Sequence, residues 1–565
     1  MKHLSNKFLW AVTILVLLAV NVLSFYFFSR IDLTNEKRFT ISEPVKTLLR
    51  NTEDPVEIYV FLKGDLPAGF RMLSQNAREL LDEFKSYAHG KINYKWVSPE
   101  ENVPGTSVTW ADTLGSLNIV PINLTVQLKA GEKSQYIYPA AAAMSGGKLL
   151  AINLFPGARP VVTPDELNKA ESMFEYDFAH ALLRLRETTK PLVAYATGNG
   201  EPTGANTFDL VENVLKPDYD VFTLDLNQEK IIPDTFKLLI LVKPTVTFTE
   251  EEKLKIDQYV MRGGKLLFFI DRLQAEMDSL QIKNQVIAYD RDLNLEDLLF
   301  KYGVRINPDL LMDLQSDYLP FDVNNNGQFE LLHWNYFPLL NPNPNNIITK
   351  NVGLVAGRFV NSMDTVKAER IRKTILLNSS PNSRTIETPA LISGAENRNA
   401  PEDGAFNRSG IPAAVLLEGR FTSLFKNRIS PEMMDSLQQE GTPFMSENLQ
   451  ENKMVIVSDG DIVLNNIYKN QPLPMGVNPF TIGTQFEYQF SNHLFVANCV
   501  SYLIDEGGLI QAKRKEFKLR MMDSKKVDNQ KLSWQLTNFA APVFLIILFG
   551  LIYQLLRRKK FRNIG

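Results

Sequence analysis

Four side chains in this sequence stand where an α/β protein could use them. Asn199 and Glu201 belong to Gly198-Asn199-Gly200-Glu201-Pro202, directly after the apolar run LVAYAT from Leu192 to Thr197. Asp271 follows KLLFFI, and Asp459 follows MVIVS. In open α/β sheets, ligands bind beyond the carboxyl ends of the strands. If these runs are parallel strands, the loop and both aspartates share one edge, and the two carboxylates can hold a cation or a polar ligand. The plainer alternatives are a glycine-rich turn for the loop and helix caps for the aspartates. Asn199, Glu201, Asp271 and Asp459 are therefore the candidate ligand-binding residues. A further stretch, Asp322 to Gln328, matches the first half of a calcium loop. Its twelfth position is His333 where a bidentate Glu is needed, so an Asn-rich turn is the simpler reading.

Other chemistry is missing. There is no Gly-x-x-x-x-Gly-Lys-Ser/Thr, no Gly-x-Ser-x-Gly and no His-Glu-x-x-His. The five histidines (His3, His89, His180, His333, His493) are scattered, with no pair at metal-ligand spacing. The sequence thus predicts a chain that is not an enzyme, with no catalytic residues, no metal and no cofactor. Its single cysteine, Cys499, forbids an internal disulfide. A net charge of −3 gives no basic excess for nucleic acid.

The elements that must position the candidates follow from periodicity. LVAYAT, YDVFTL, KLLILV and KLLFFI are short apolar runs, and several are apolar on both faces, as strands of a covered parallel sheet must be. Thr249 and Glu252 form a capping box between the last two runs, and Arg262-Gly263-Gly264 ends that helix. Strands alternating with helices predict a doubly wound, largely parallel α/β domain over 191–510. IPAAVLLEG and KMVIVSDGD continue it, with long loops expected at 314–350 and 378–410. Upstream, a helix start near Pro44, the strand VEIYVFL, a helix over 70–87 and the strand KINYKWV give β-α-β. INLTVQL and SQYIYPA then flank Ala130-Gly131-Glu132-Lys133 as a hairpin. This order is reminiscent of a thioredoxin-like α/β domain over 29–162, one without Cys-x-x-Cys. Thr163-Pro164-Asp165-Glu166 opens an amphipathic connector helix over 163–190.

Both ends are apolar. Phe8 to Phe28 and Leu536 to Leu556 are each 21 residues without a charge, and a helix of ~20 residues spans a bilayer. The mean hydropathy of −0.14 excludes a polytopic transporter. Lys2 and Lys7 precede the first run, and five cations between Arg557 and Arg562 follow the second. The positive-inside rule then predicts two transmembrane helices, 8–28 and 536–556. Tails 1–7 and 557–565 would be cytoplasmic, and a linker over 511–535 would lead to the second span. The bulk of the chain would face away from the cytosol, in the periplasm of a bacterial inner membrane.

RFTISEPVKTLLRNTEDPVEIYVFLKG, FAHALLRLRETTKPLVAYATGNGEP and YVMRGGKLLFFIDR, set between an N-terminal anchor and a C-terminal anchor with a basic tail, carry a resemblance. They resemble the GldG-like, gliding-motility-associated components of bacterial ABC transporter systems, over essentially the whole chain. The α/β region is also similar to a domain found in intraflagellar-transport proteins. The resemblance implies an auxiliary, substrate-binding-like protein that works with a separate ABC permease subunit and a cytoplasmic ATPase, alongside other gliding or envelope proteins. A membrane-anchored scaffold independent of transport is the alternative, and a periplasmic hydrolase using Glu201, Asp271 or Asp459 a third.

Overall fold

The computed structural model describes residues 12–20, 40–117, 119–128, 131–155, 163–277, 280, 285–322, 326–393, 403–505, 507–514 and 524–562. Pro44 in the first turn and Glu43 at the helix's positive end suit the start of Glu43–Arg50 (α1). Val56–Val60 (β1), Ala68–Tyr87 (α2) and Ile92–Trp96 (β2) follow as a β-α-β unit. Trp110–Ser116 (α3) precedes Ile122–Leu128 (β3), Gly131–Ile137 (β4), Ala140–Ser145 (β5) and Lys148–Asn153 (β6). The sheet order is β2-β1-β5-β6, with β1 parallel to β2 and antiparallel to β5. The expected hairpin at Gly131 forms, but among the described residues β3 and β4 pair only with each other, as a separate ribbon. The sheet is completed by β5 and β6, which turn at Gly146-Gly147, both at positive φ. Ala140 to Ala143 are fully buried there. An alanine run reads as helix by propensity, and close packing between two layers overrides it.

The long helix Pro164–Arg186 (α4) carries the predicted capping box, with Thr163 and Glu166 satisfying one another's backbone N–H groups. Its apolar stripe packs with α2 on one face of the small sheet, where Phe178 lies between Phe84 and Phe174 at ring distances of 6.5 and 6.3 Å. Trp110 of α3 covers the other face against Tyr59 and Phe61.

Leu192–Thr197 (β7) opens the larger body, followed by Asp220–Asp225 (β8), Phe236–Val242 (β9), Glu250–Met261 (α5) and Lys265–Phe269 (β10). Glu296–Tyr302 (α6), Ser316–Phe321 (β11), Glu330–Pro342 (β12), Ile371–Asn378 (β13), Pro412–Gly419 (β14), Asn452–Val457 (β15) and Asn492–Ile504 (α7) complete it. The main sheet has ten strands, nine of them in the order β11-β12-β13-β14-β15-β10-β9-β7-β8. From β15 to β8 neighbouring strands are parallel. From β11 to β15 they are antiparallel. The expectation of a largely parallel sheet is therefore corrected to a mixed one, because IPAAVLLEG inserts beside β15 in the opposite direction. The stretches 314–350 and 378–410 are not plain loops either. They hold β11, β12 and the strands Ser383–Glu387 and Ala390–Ser393. Pro320 lies in the edge strand β11 and Pro342 closes β12, places where a ladder donor is dispensable. Helices lie on both faces, with α7 and a π-helical turn Asp209–Leu215 on one and α5 and α6 on the other.

Beyond α7, the 3₁₀ turn Leu509–Arg514 returns to the first body, where Leu509 and Ala512 join the core of α1, α2 and α4. Lys513 is buried, donates to Asn498 Oδ1 at 2.6 Å and sits 4.0 Å over the Tyr176 ring. Ser524–Arg562 (α8) then forms one helix of 39 residues containing Pro542. Among the described residues one helix is long and apolar enough to cross a membrane, Ser533–Arg558, and none of its apolar window is buried. Two such helices are expected from the sequence. Of the run 8–28, residues 12–20 are helical with exposed side chains, and the remainder lies outside the described residues. Replacing the fully buried Phe178 by alanine is expected to cost about 3–5 kcal/mol, read as a lowered urea midpoint of the first body.

Candidate functional site

The parallel half of the sheet has the order β8-β7-β9-β10-β15, so the chain steps outward in one direction from β7 to β8 and in the other from β9 to β15. The connection after β7 lies on one face and that after β9 on the opposite face. The carboxyl ends of β7 and β9 are thus the switch point of an open α/β sheet, where a crevice opens between the two connections. All four sequence-predicted residues fall on this edge. They form two clusters rather than one.

The first cluster gathers around a residue the sequence reading missed. Lys243 is the residue after β9, in the left-handed region at φ 43°. Its ammonium is buried and meets Asp461 at 2.7 Å, Asp271 at 3.1 Å and Glu276 at 3.2 Å. Asp271 and Asp459 occupy equivalent positions past the paired ends Phe269 and Val457 of β10 and β15. They do not cap helices. Asp271 Oδ1 accepts the Gly460 N–H. Asp459 accepts from the backbone N–H groups of Arg358 and Asp461, each at 2.8 Å. Burial and the neighbouring Asp271 carboxylate push the Asp459 carboxyl well above the ordinary range. Burial raises Asp271 too, against the pull of Lys243. Lys243 itself is held well above an ordinary lysine, because the attraction of its three carboxylates outweighs its burial. The available signal was positional: Lys243 directly follows KLLILV, as Asp271 follows KLLFFI.

The second cluster is the Gly198–Glu201 loop with the start of α5. Gly198 and Gly200 both have positive φ, and a Cβ on Gly200 would meet Thr245 Oγ1 at 2.0 Å, so only glycine fits. The Asn199 carbonyl accepts from Thr245 and Val246 N–H at 2.8 and 2.9 Å, which pins the loop to the segment after β9. Glu201 Oε2 accepts the Asn199 N–H at 2.8 Å. Glu252 Oε2 accepts the Thr249 N–H at 2.7 Å, the reciprocal bond of the capping box, and lies 3.4 Å from Asn199 Nδ2. Asn199, Glu201 and Glu252 are all buried, and Asn199 Oδ1, Glu201 Oε1 and Glu252 Oε1 have no hydrogen-bond partner. Burial, with smaller contributions from Glu252 and Asp225, raises the Glu201 carboxyl to about 7. Sequence reading identified Glu252 as a cap; only the packing of α5 against the loop brings it to the site.

The calcium-loop match resolves as a turn, since both Asp322 carboxylate oxygens accept backbone N–H groups, of Asn326 at 3.0 Å and Gly327 at 3.1 Å. Position 324 lies outside the described residues. A cleft of about 710 Å³ also runs between the two bodies, lined by Tyr176, His180, Arg184, Asp218, Tyr219 and Asp505 among others.

Fold and edge together define a mixed α/β body with an open-sheet switch point and a trailing apolar helix. Residues 190–499 match the profile of a family described as ABC-type uncharacterized transport system; that is more than half of the chain, and the chain belongs to this family. It is thus a transport-associated component. Residues 35–144 match a domain of unknown function, DUF7088. The chain is 21% identical, over 97% of its own length and 97% of the relative's, to an uncharacterized protein of Borreliella burgdorferi. Among solved structures, the mmIFT52 N-terminal domain aligns with 55% of this chain and 96% of its own, at 12% identity and a TM-score of 0.30. The exo-beta-1,4-mannosidase Op5Man5 from Opitutaceae bacterium strain TAV5 aligns with 74% of this chain and 51% of its own, at 9% identity and a TM-score of 0.18.

Two outcomes are expected at this edge. Lys243→Met leaves Asp271 and Asp461 without their cation, Asp271 in a buried position, and lowers stability by about 3–5 kcal/mol at pH 7. Thermal unfolding will show that loss shrinking as pH falls, because burial already raises the Asp271 carboxyl and favours its protonation once the cation is gone. For Glu201, the folded carboxyl near 7 lies above its ordinary 4.5. Its contribution is therefore complete below pH 4.5 and is lost as pH rises through 7. Glu201→Gln should flatten that part of the stability–pH curve, by about 2–3 kcal/mol at most.

Proposed function

We propose that this chain is a non-catalytic, membrane-anchored subunit of an ABC transport system in a bacterial inner membrane, of the kind associated with gliding motility. Its α/β bodies, 29–162 and 191–510, would stand in the periplasm and receive a substrate or an envelope protein. A separate permease and a cytoplasmic ATPase would supply transport and energy. The observation that carries the anchoring is α8, a helix whose apolar stretch Ser533–Arg558 buries nothing against the folded bodies and is followed by Lys559 and Lys560. A side-chain surface of that length and character is stable only where lipid or protein covers it. The run 8–28 would provide the second span, and clustered cations at both ends favour cytoplasmic tails. The β-α-β unit, the β5–β6 hairpin and the following α4 support the thioredoxin-like reading of the first body.

At the switch-point edge, Asp271 is already engaged by Lys243 and the Gly460 amide, and Asp459 by the amides of Arg358 and Asp461. Ligand-binding weight therefore falls on Asn199 and Glu201.

Topology is tested by thiol labelling, because the native Cys499 is buried and silent. Ala205→Cys, on an exposed turn beside the switch point, should react with an impermeant maleimide in spheroplasts. A cysteine at Arg558 should react only after lysis. Protection at position 205 in intact spheroplasts sinks the periplasmic placement. Affinity purification of the full chain in mild detergent should bring down a permease and an ATPase; their absence under crosslinking favours a scaffold that works outside transport.

A further inference from the structure

We propose that Asn199, Glu201 and Glu252 form a binding site for one hard divalent cation, Ca²⁺ or Mg²⁺, at the switch point of the large sheet. The proposal begins from a difference between the two clusters on one sheet edge. At the ends of β10 and β15 the buried carboxylates have their own counter-ion, Lys243, within 3.2 Å. At the ends of β7 and β9, Glu201 and Glu252 are 9% and 2% exposed, and neither is within salt-bridge distance of a described Lys, Arg or His. Lys253 and Lys255, their neighbours on α5, point elsewhere: Lys253 Nζ pairs with Glu250 and Asp297, and Lys255 Nζ donates to the Leu226 carbonyl. Asp225, which also acts on Glu201, adds negative charge.

An isolated buried carboxylate loses several kcal/mol of hydration unless something replaces the water. Each of these carboxylates recovers part of that loss through one oxygen, by accepting a backbone N–H from Asn199 or Thr249. The other oxygen of each, and the amide oxygen of Asn199, have no partner. All three unmatched atoms are acceptors. The group that satisfies them must carry positive charge or donate hydrogen bonds, and oxygen-only donors with two formal negative charges suit a hard divalent ion. Among the described residues no three His, Cys, Asp or Glu side chains gather at metal-ligand distance. The donor set here is two carboxylates and one amide carbonyl, so water would complete the shell, as hard cations commonly allow. The loop is built to hold its shape: Gly200 cannot accept a side chain, and the Asn199 backbone is tied by two hydrogen bonds to residues 245 and 246. A bound ion would therefore fasten the loop after β7 to the start of α5 across the crevice.

The test uses the full chain in detergent, stripped with EDTA and titrated at pH 8 with CaCl₂ and separately with MgCl₂. Calorimetry should show one equivalent of one of these ions, with a dissociation constant on the order of 10⁻⁴ M. Thermal unfolding should rise by about 3–5 °C at saturating ion. Glu252→Gln keeps a capping-box side chain and should stay folded, yet weaken binding about tenfold or more. Glu201→Gln should do the same, and Asp461→Asn in the Lys243 cluster should leave binding unchanged. The absence of heat and of any thermal shift with both ions, in protein shown folded by circular dichroism, overturns the proposal. So does unaltered binding in folded Glu252→Gln, which would place the ion elsewhere.

Discussion

Three carboxylates, Asp271, Asp461 and Glu276, converge within 3.2 Å on the buried Lys243 ammonium. Burying that many charges costs several kcal/mol per ion, and their mutual attraction returns the cost only when geometry is tight and the remaining lone pairs are matched. Here Asp271 also accepts the Gly460 N–H, Arg291 pairs with Glu276, and the adjacent Asp459 accepts the N–H groups of Arg358 and Asp461. The consequence is positional more than energetic. Lys243 follows β9, Asp271 follows β10, and Asp461 follows β15, so one ammonium ties together the segments leaving three neighbouring strands. Slippage of any of them would strand a charge in an apolar setting. A left-handed, non-glycine backbone at Lys243 is tolerated because this network determines its position from several sides.

That constraint divides the edge of the sheet. Where the network sits, hydrogen-bonding capacity is consumed internally. One step away, between β7 and β9, the glycine loop and the cap of α5 leave acceptor atoms unmatched. The sheet therefore has, along one edge, a half whose carboxylates are engaged and a half with unmatched acceptor atoms, the latter at the topological switch point. The same loop is tied through Thr245 and Val246 to the segment that runs on from Lys243, so the two halves share a backbone.

The route from this body to the apolar helix is equally specific. The chain leaves α7 and returns to the first body before α8 begins, with Lys513 placed between Asn498 of the large body and Tyr176 of the small one. Burial lowers the Lys513 ammonium to about 8 and raises the neighbouring Asp177 carboxyl to about 7. The contacts of Lys513 with Asn498 on one side and Tyr176 on the other hold only while the two bodies stay together.

Much of this was legible in the sequence because it is local. Capping boxes at Thr163 and Thr249 depend on residues three apart, and the strands β7, β9 and β10 on apolar runs that no other element tolerates. The apolar stretch of α8 is likewise a property of consecutive residues. The candidate residues Asn199, Glu201, Asp271 and Asp459 were found from their places after strands, which correctly put them on one edge. What the residues next to them do was decided by tertiary structure. Sheet direction depends on partners far away in sequence, so the antiparallel entry of β14 and the strands hidden in the Asn- and Pro-rich stretches could not be read from composition. Lys243 was passed over, and Glu252 stood only as a helix cap. Their charges acquired meaning only when packing removed the water around them, because an ionic group's partner matters in proportion to how little solvent remains to replace it.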